Sequence, residues 1–254
     1  MISPGKLKIF VISLMGSANR RRLMAGQLDQ PGFPPWEFLD AIEGRKLDAD
    51  ELHRCYDDEA ARKRYGKGLP IGHVGCALSH IEAYRRVIDQ GLDAALILED
   101  DALIGEHALL VIERLLARLS ADEPTLILFS HAKYYRPFGG WRLDRERKLY
   151  PVHMARGTHG YLVTRGVASR MLEAMPRVTV VPDHWEVIRD LCRINIFAVV
   201  PYPIGRSPVA GYSSMPALPL ASGIGDKTRA EQWRRLRFQI RKIAYGSRKQ
   251  PASW

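Results

Sequence analysis

The chain has 254 residues, 46% of them hydrophobic, which suits one large domain or one and a half smaller ones and excludes disorder, collagen and a disulfide mini-scaffold. Thirty-eight Lys and Arg against 28 Asp and Glu give a net charge of +10, which points to an acidic partner. Residues 226–249 alone carry +7 of that total, so any electrostatic case for nucleic acid or membrane concerns this tail and not the nearly balanced body.

Lys6 and Lys8 precede an apolar run at 9–15, at the lower limit for a signal peptide, and the segment reads better as a first strand. Residues 7–14 are continuously apolar with β-branched residues; a polar turn at Gly16, Ser17 and Asn19 then leads into an Arg-rich helical segment at 20–28. Residues 36–42 predict a short strand ended by Glu43-Gly44, residues 48–64 a charged helix, and Gly66, Gly68, Pro70 and Gly72 a loop. Apolar spacing predicts a helix over 74–88. Residues 94–98 are apolar on both faces, as in a central parallel strand, and stop at Glu99-Asp100-Asp101. Helix is expected again at 109–119, strand at 125–129, an irregular aromatic excursion at 134–149, strand at 160–164, helix at 167–175 and strand at 196–200. This alternation predicts an α/β fold with a mainly parallel sheet flanked by helices, whose ligands gather at the carboxyl ends of the strands. Pro216, Pro219, Gly223 and Gly225 read as a linker, dividing a domain at 1–222 from a tail at 223–254.

Cys55, Cys76 and Cys192 are too few and too unevenly spaced for a disulfide framework or a zinc ribbon, and they suit a reducing, cytoplasmic compartment. No apolar stretch approaches the roughly 18 residues of a membrane span. Walker, G-x-G-x-x-G, G-x-S-x-G and H-E-x-x-H motifs are absent from the sequence.

The acid trio is the most informative feature. Alternation along a strand sends Glu99 and Asp101 to one face and Asp100 to the other. Two adjacent carboxylates repel unless a cation or proton separates them, and oxygen ligands at a strand end suit Mg²⁺ or Mn²⁺. The preceding buried strand favours that reading over a solvated acidic loop. His73, Cys76 and His80 share one helix face and imitate a zinc triad, but Cys76 sits in an apolar segment and reads as a small core residue.

Gly75-Cys76-Ala77-Leu78-Ser79-His80 followed by Ile97-Leu98-Glu99-Asp100-Asp101 resembles glycosyltransferase family 25, the family of lipooligosaccharide and collagen galactosyltransferases. Ala41-Ile42-Glu43-Gly44, the GTHGYLVTRGVA segment at 157–168 and Pro182-Asp183 resemble three further family segments in the same order. His73 stands where that family commonly has Glu, and Ser13 where it often has Asn.

The resemblance implies a GT-A-like, Rossmann-like fold, a nucleotide-sugar donor, most often UDP-galactose, a saccharide acceptor, and a Mn²⁺ or Mg²⁺ ion. Asp101 becomes the metal ligand, with Glu99 beside it facing ribose or sugar. Ser13, Arg21, Glu43, Gly44, Ser79, His80, Glu99 and Asp100 are expected around the donor. Arg20, Arg21 and Arg22 offer guanidinium groups to the diphosphate, or a merely solvated helix face. An inverting transferase also needs a carboxylate base. Asp183 is the candidate, since the apolar run Val178, Val180 and Val181 and then Pro182 would put it at a strand end, with His184 and Glu186 as alternates and helix N-capping as the competing role for Asp183. Tyr161 and Trp141 are assigned to the acceptor. Trp141 belongs to an aromatic group with Tyr134, Tyr135 and Phe138 that reads either as an acceptor loop or as a pinned surface loop.

In the tail, Trp233, Leu236, Ile240, Ile243 and Ala244 form one stripe, with Arg234, Arg235, Arg237, Arg241 and Lys242 around it, which predicts a basic amphipathic C-terminal helix. It can lie on an anionic membrane, pack on the body or bind nucleic acid. A lipid-linked acceptor favours the membrane, placing the protein at its inner face. The expected function is metal-dependent glycosyl transfer in lipopolysaccharide or surface-glycan assembly. The alternative is a non-catalytic membrane- or nucleic-acid-associated module on the same fold.

Overall fold

A computed structural model describes residues 1–208 and, beyond them, residues 236, 240, 248 and 249. β1 (Leu7–Ser13) lies between β2 (Trp36–Asp40) and β3 (Ala94–Glu99), parallel to both. These strands are apolar on both sides because helices cover both sides. Phe10, Ile12, Ala95 and Ile97 enter one core cluster, and Ile9, Val11, Leu96 and Leu98 enter the other. The first cluster is filled by α4 (Ile71–Asp89), α6 (Arg165–Ala174) and α7 (Trp185–Cys192). The second is filled by α1 (Ala18–Leu28) and α5 (Ala108–Leu116).

β9 (Gly160–Thr164) sits between β3 and β5 (Thr125–Leu128) and runs against both, while β10 (Asn195–Val200) is parallel to β5. The sheet continues through β8 (Lys148–Met154) and β6 (Tyr134–Tyr135) to β12 (Arg248–Lys249), with β7 (Trp141–Arg142) attached to β8. β1, β2, β3, β5 and β10 therefore all point one way, the mainly parallel α/β arrangement expected from the alternating pattern. The reversal of β9 carries the residues just before Gly160 to the edge where β1, β3 and β5 end. Beyond that edge a small ribbon pairs β4 (Ala102–Ile104) with β11 (Ile204–Arg206).

Three local expectations change. The helix expected over 48–64 is two helices, α2 (Ala49–Cys55) and α3 (Asp58–Tyr65). Tyr56 bridges to Val178 between them, and the Asp57 side chain accepts from Ala60 N to cap the second. The apolar run at 178–181 is not a strand beyond that isolated bridge. The irregular excursion at 134–149 holds β6, β7 and the start of β8.

The linker, the 222/223 boundary and most of the basic tail lie outside the described residues. Within the tail, Leu236 and Ile240 are helical and about half exposed. All three cysteines are free thiols. Among the described residues no helix is long and apolar enough to cross a membrane.

Candidate active site

The acid trio straddles the end of β3. Ala95 and Ile97 face α4, so Glu99, the last residue of the strand, follows them to that side; Asp100 and Asp101 lie in the turn beyond, where Asp101 keeps a carboxylate oxygen within 4.8 Å of Glu99 and Asp100 turns to the α1 side. There Asp100 Oδ2 accepts from Ser13 Oγ at 2.7 Å, and Oδ1 accepts from Arg20 Nη1 at 3.1 Å. These contacts tie the ends of β1, β3 and α1 together, and they occupy Ser13 and Asp100 with each other.

On the α4 side, the Glu99 carboxylate accepts from Thr158 Oγ1 and lies 3.6 Å from His80 Nε2. The other ring nitrogen of His80 bonds Tyr161 OH at 2.7 Å, which in turn meets Tyr84 OH at 3.0 Å. Burial pushes the Glu99 carboxyl up, but His80, the nearby His159 and Thr158 outweigh it and hold the group at about 2. Glu99 is thus ionised across the physiological range.

Asp101 is 5% exposed. Its Oδ2 accepts from Arg206 Nε at 2.8 Å, and its Oδ1 is buried with no hydrogen-bond partner among the described residues. Such an orphaned oxygen is expensive unless something binds it. Donor atoms of Glu99, Asp101 and His159 lie within 4.8 Å of one another. Two carboxylates and an imidazole, one oxygen of them unsatisfied, fit a divalent cation. A second group, Cys76, His80 and Glu99, also satisfies that distance. Burial together with Glu99 and Asp183 pushes the Cys76 thiol up, so it stays protonated and a poor ligand.

The glycine motifs form the wall of the site. A Cβ on Gly75 would lie 2.4 Å from Gly44 N and from Ile42 O, and one on Gly44 would lie 2.0 Å from Ile71 O. The turn at 41–44 and the first turns of α4 therefore touch backbone to backbone. Ser79 locks them, accepting from Ile42 N at 2.8 Å while donating to Gly75 O at 2.8 Å. Gly44 and Ser79 were expected at the donor; both are consumed in this crossing. Glu43, next in the turn, pairs with Lys46 at 2.5 Å. Arg21 reaches Ser13 O at 3.0 Å, pairs with Asp40 and stacks 4.8 Å over Phe38.

Asp183 Oδ2 accepts from Gly157 N at 3.1 Å, in the segment that leads into His159 and β9. The capping role for Asp183 does not hold, because the N-cap of α7 is His184 and no side chain caps it. Of the alternate bases, Glu186 is held by both terminal nitrogens of Arg156 at 2.6 Å. His184 is 2% exposed and bonds Tyr65 OH at 3.0 Å, with burial and the Arg156 charge pushing it down to about 4.

The acceptor assignment needs one correction. Tyr161 is fully buried, its hydroxyl enclosed by His80 and Tyr84, so it presents no face to a sugar. Trp141 is 42% exposed and stacks on Phe197 at 5.2 Å, and Phe138 is exposed nearby in sequence. Sequence reading missed His159, Thr158, Arg206 and Gly157. Only the pairing of β3 with β9 reveals the first two, since it places residues 158 and 159 beside Glu99.

Comparison with known proteins supplies the family. Residues 6–139 match the model described as glycosyltransferase family 25 (LPS biosynthesis protein). A glycosyltransferase 25 family member of Drosophila pseudoobscura pseudoobscura is 25% identical over 81% of this chain and 36% of its own length. Procollagen galactosyltransferase 1 of Danio rerio is 22% identical over 69% of this chain and 30% of its own. The lacto-N-neotetraose biosynthesis glycosyltransferase LgtE of Neisseria meningitidis is 28% identical over 69% and 62%. The chain thus spans about a third of the first two relatives and less than two thirds of the third. With more than half of its length inside the matched family model, this chain belongs to glycosyltransferase family 25.

Proposed function

We propose that the protein transfers a sugar, galactose from UDP-galactose, onto a saccharide acceptor in lipopolysaccharide or related surface-glycan assembly. The observation that carries this reading is the buried, unsatisfied Asp101 Oδ1 beside an ionised Glu99 at the strand edge where α/β folds bind ligands. Galactose is favoured by the relative named as a procollagen galactosyltransferase, and a surface glycan by the family description and the lacto-N-neotetraose relative.

Asp101 and Glu99 would hold Mn²⁺ or Mg²⁺, which when bound supplies Lewis-acid neutralisation of the charge that grows on the departing diphosphate. Arg206, through its bond to Oδ2, fixes the orientation in which Asp101 offers Oδ1. Asp183 acts as the base. Its Oδ2 is anchored by Gly157 N–H, leaving Oδ1 to take the proton of the acceptor hydroxyl. The acceptor oxygen bonds to the anomeric carbon as the bond from that carbon to the phosphate oxygen breaks. Attack from the face opposite the leaving group inverts the anomeric centre. The electron pair of the broken bond departs with UDP. The basic segment at 226–249 brings the enzyme to an anionic membrane, where a lipid-linked acceptor resides.

The test is Mn²⁺-dependent release of UDP from UDP-galactose by the purified chain, and its loss in Asp101→Ala. Absence of release with every sugar nucleotide would overturn the catalytic reading in favour of a non-catalytic module. Co-sedimentation with anionic vesicles, with and without residues 226–254, tests the membrane contact.

A further inference from the structure

Backbone pairing delivers a third donor to the two acids. Leu98 pairs with Gly160, and one step further Glu99 N–H donates to His159 O at 3.2 Å. Residues opposed across an antiparallel ladder send their side chains to the same face. His159 and Glu99 therefore share the α4 face, within reach of an Asp101 carboxylate oxygen. The position is supported from behind: Gly157 has φ +86°, and a Cβ there would stand 2.9 Å from His159 Nδ1, so the missing side chain makes room for the ring.

The three donors lie within 4.8 Å of one another, and three ligands about 2.1 Å from one ion stand about 3.0–3.6 Å apart, so side-chain rotations that move the donor atoms by about 1–2 Å close them on one ion. We infer that His159 is the third protein ligand of the divalent ion, a nitrogen donor beside the Glu99 and Asp101 oxygens, and that it biases the site toward Mn²⁺ or Co²⁺ over Mg²⁺. This rests on the metal-dependent reading above. Mg²⁺ prefers oxygen, whereas imidazole suits transition metals, whose affinity rises from Mn²⁺ toward Cu²⁺. The competing histidine, His80, has Nδ1 bound to Tyr161 and lies in the buried chain behind Glu99, so it orients the carboxylate instead of taking the ion.

The experiment is pulsed electron paramagnetic resonance of the full chain loaded with Mn²⁺ and UDP. Wild type should show ¹⁴N modulation from a directly bonded imidazole. His159→Gln and His159→Asp should lose it while keeping the wild-type circular dichroism and melting profile. In parallel calorimetry, Mn²⁺ affinity should fall about tenfold or more in His159→Gln, with Mg²⁺ affinity moving less than about threefold. Nitrogen modulation that persists in both variants, or that is missing in a wild type that binds Mn²⁺, would overturn the ligand assignment and leave metal dependence standing. A wild type that takes up no Mn²⁺ would overturn both.

Discussion

Gly75→Ala sets helix propensity against packing, and the two predict opposite signs. In an ordinary helix interior the exchange stabilises by about 1 kcal/mol, because glycine loses more backbone entropy on folding. At this position the new Cβ would lie 2.4 Å from Gly44 N and 2.4 Å from Ile42 O. Both neighbours are backbone atoms of the 41–44 turn, and neither can swing aside as a side-chain tip can. The crossing must open by about 1 Å, which strains the Ser79 bond to Ile42 N. Overpacking costs about 1–3 kcal/mol, and a clash with two backbone atoms belongs at the upper end. The net loss is about 2 kcal/mol, or about 4–8 °C in Tm for a domain of this size. Urea and thermal unfolding of wild type and Gly75→Ala measure it. Mn²⁺ affinity should fall in parallel, because α4 also carries His80, which orients Glu99. A Tm equal to or above wild type would refute the reasoning, since it would mean that the crossing yields freely and does not set the cleft wall.

Asp183→Asn should lower kcat by about 10²–10⁴ while leaving Mn²⁺ and UDP affinity within about twofold, and a kcat within threefold of wild type would remove Asp183 as the base. Gly157→Ala should weaken Mn²⁺ binding and kcat together, because its left-handed backbone resists a side chain and a Cβ would displace His159. Intact metal affinity in that variant would show that the ring has another place to go. His184 has its folded pKa pushed down to about 4 from the ordinary 6.5, so the unfolded chain takes up the proton first. Its contribution to stability is complete above pH 6.5 and is lost as pH falls from 6.5 to 4. His184→Gln should flatten that part of a plot of urea midpoint against pH, and an unchanged slope would count against the buried neutral ring.

The sheet was legible because its central strands are covered on both faces and so read as uninterrupted apolar runs, at 7–14, 94–98 and 125–129 in particular. The opposite destinations of Glu99 and Asp100 were legible for a similar reason, since a period of two needs no knowledge of neighbours. Pairing between distant strands was not. Residues 160–164 read as a strand, but their antiparallel insertion between β3 and β5 is a tertiary fact, and the meeting of His159 with Glu99 depends on it. The split between α2 and α3 was hidden because the charged pattern runs through it; the break comes from the Tyr56 bridge and the Asp57 cap. Tyr161 was misassigned because an aromatic residue next to a motif looks the same whether it faces a ligand or a buried histidine.

The motif residues divide by task. Gly44, Gly75, Ser79, His80 and Tyr161 make contacts within the protein, and together they fix the wall and the backing of Glu99. In the proposed mechanism the chemistry falls to few side chains: Glu99, Asp101, His159 and Asp183. A chain could keep the first set, fold with the same cleft and match the family, yet lose transfer through one change in the second set. Substitutions in the two sets should therefore separate in the assay. Changes at Gly75 or Ser79 lower stability and every downstream property together. Asp183→Asn removes turnover from a protein whose melting profile and metal affinity are intact, and that dissociation distinguishes a reacting carboxylate from one that only holds the loop before α7.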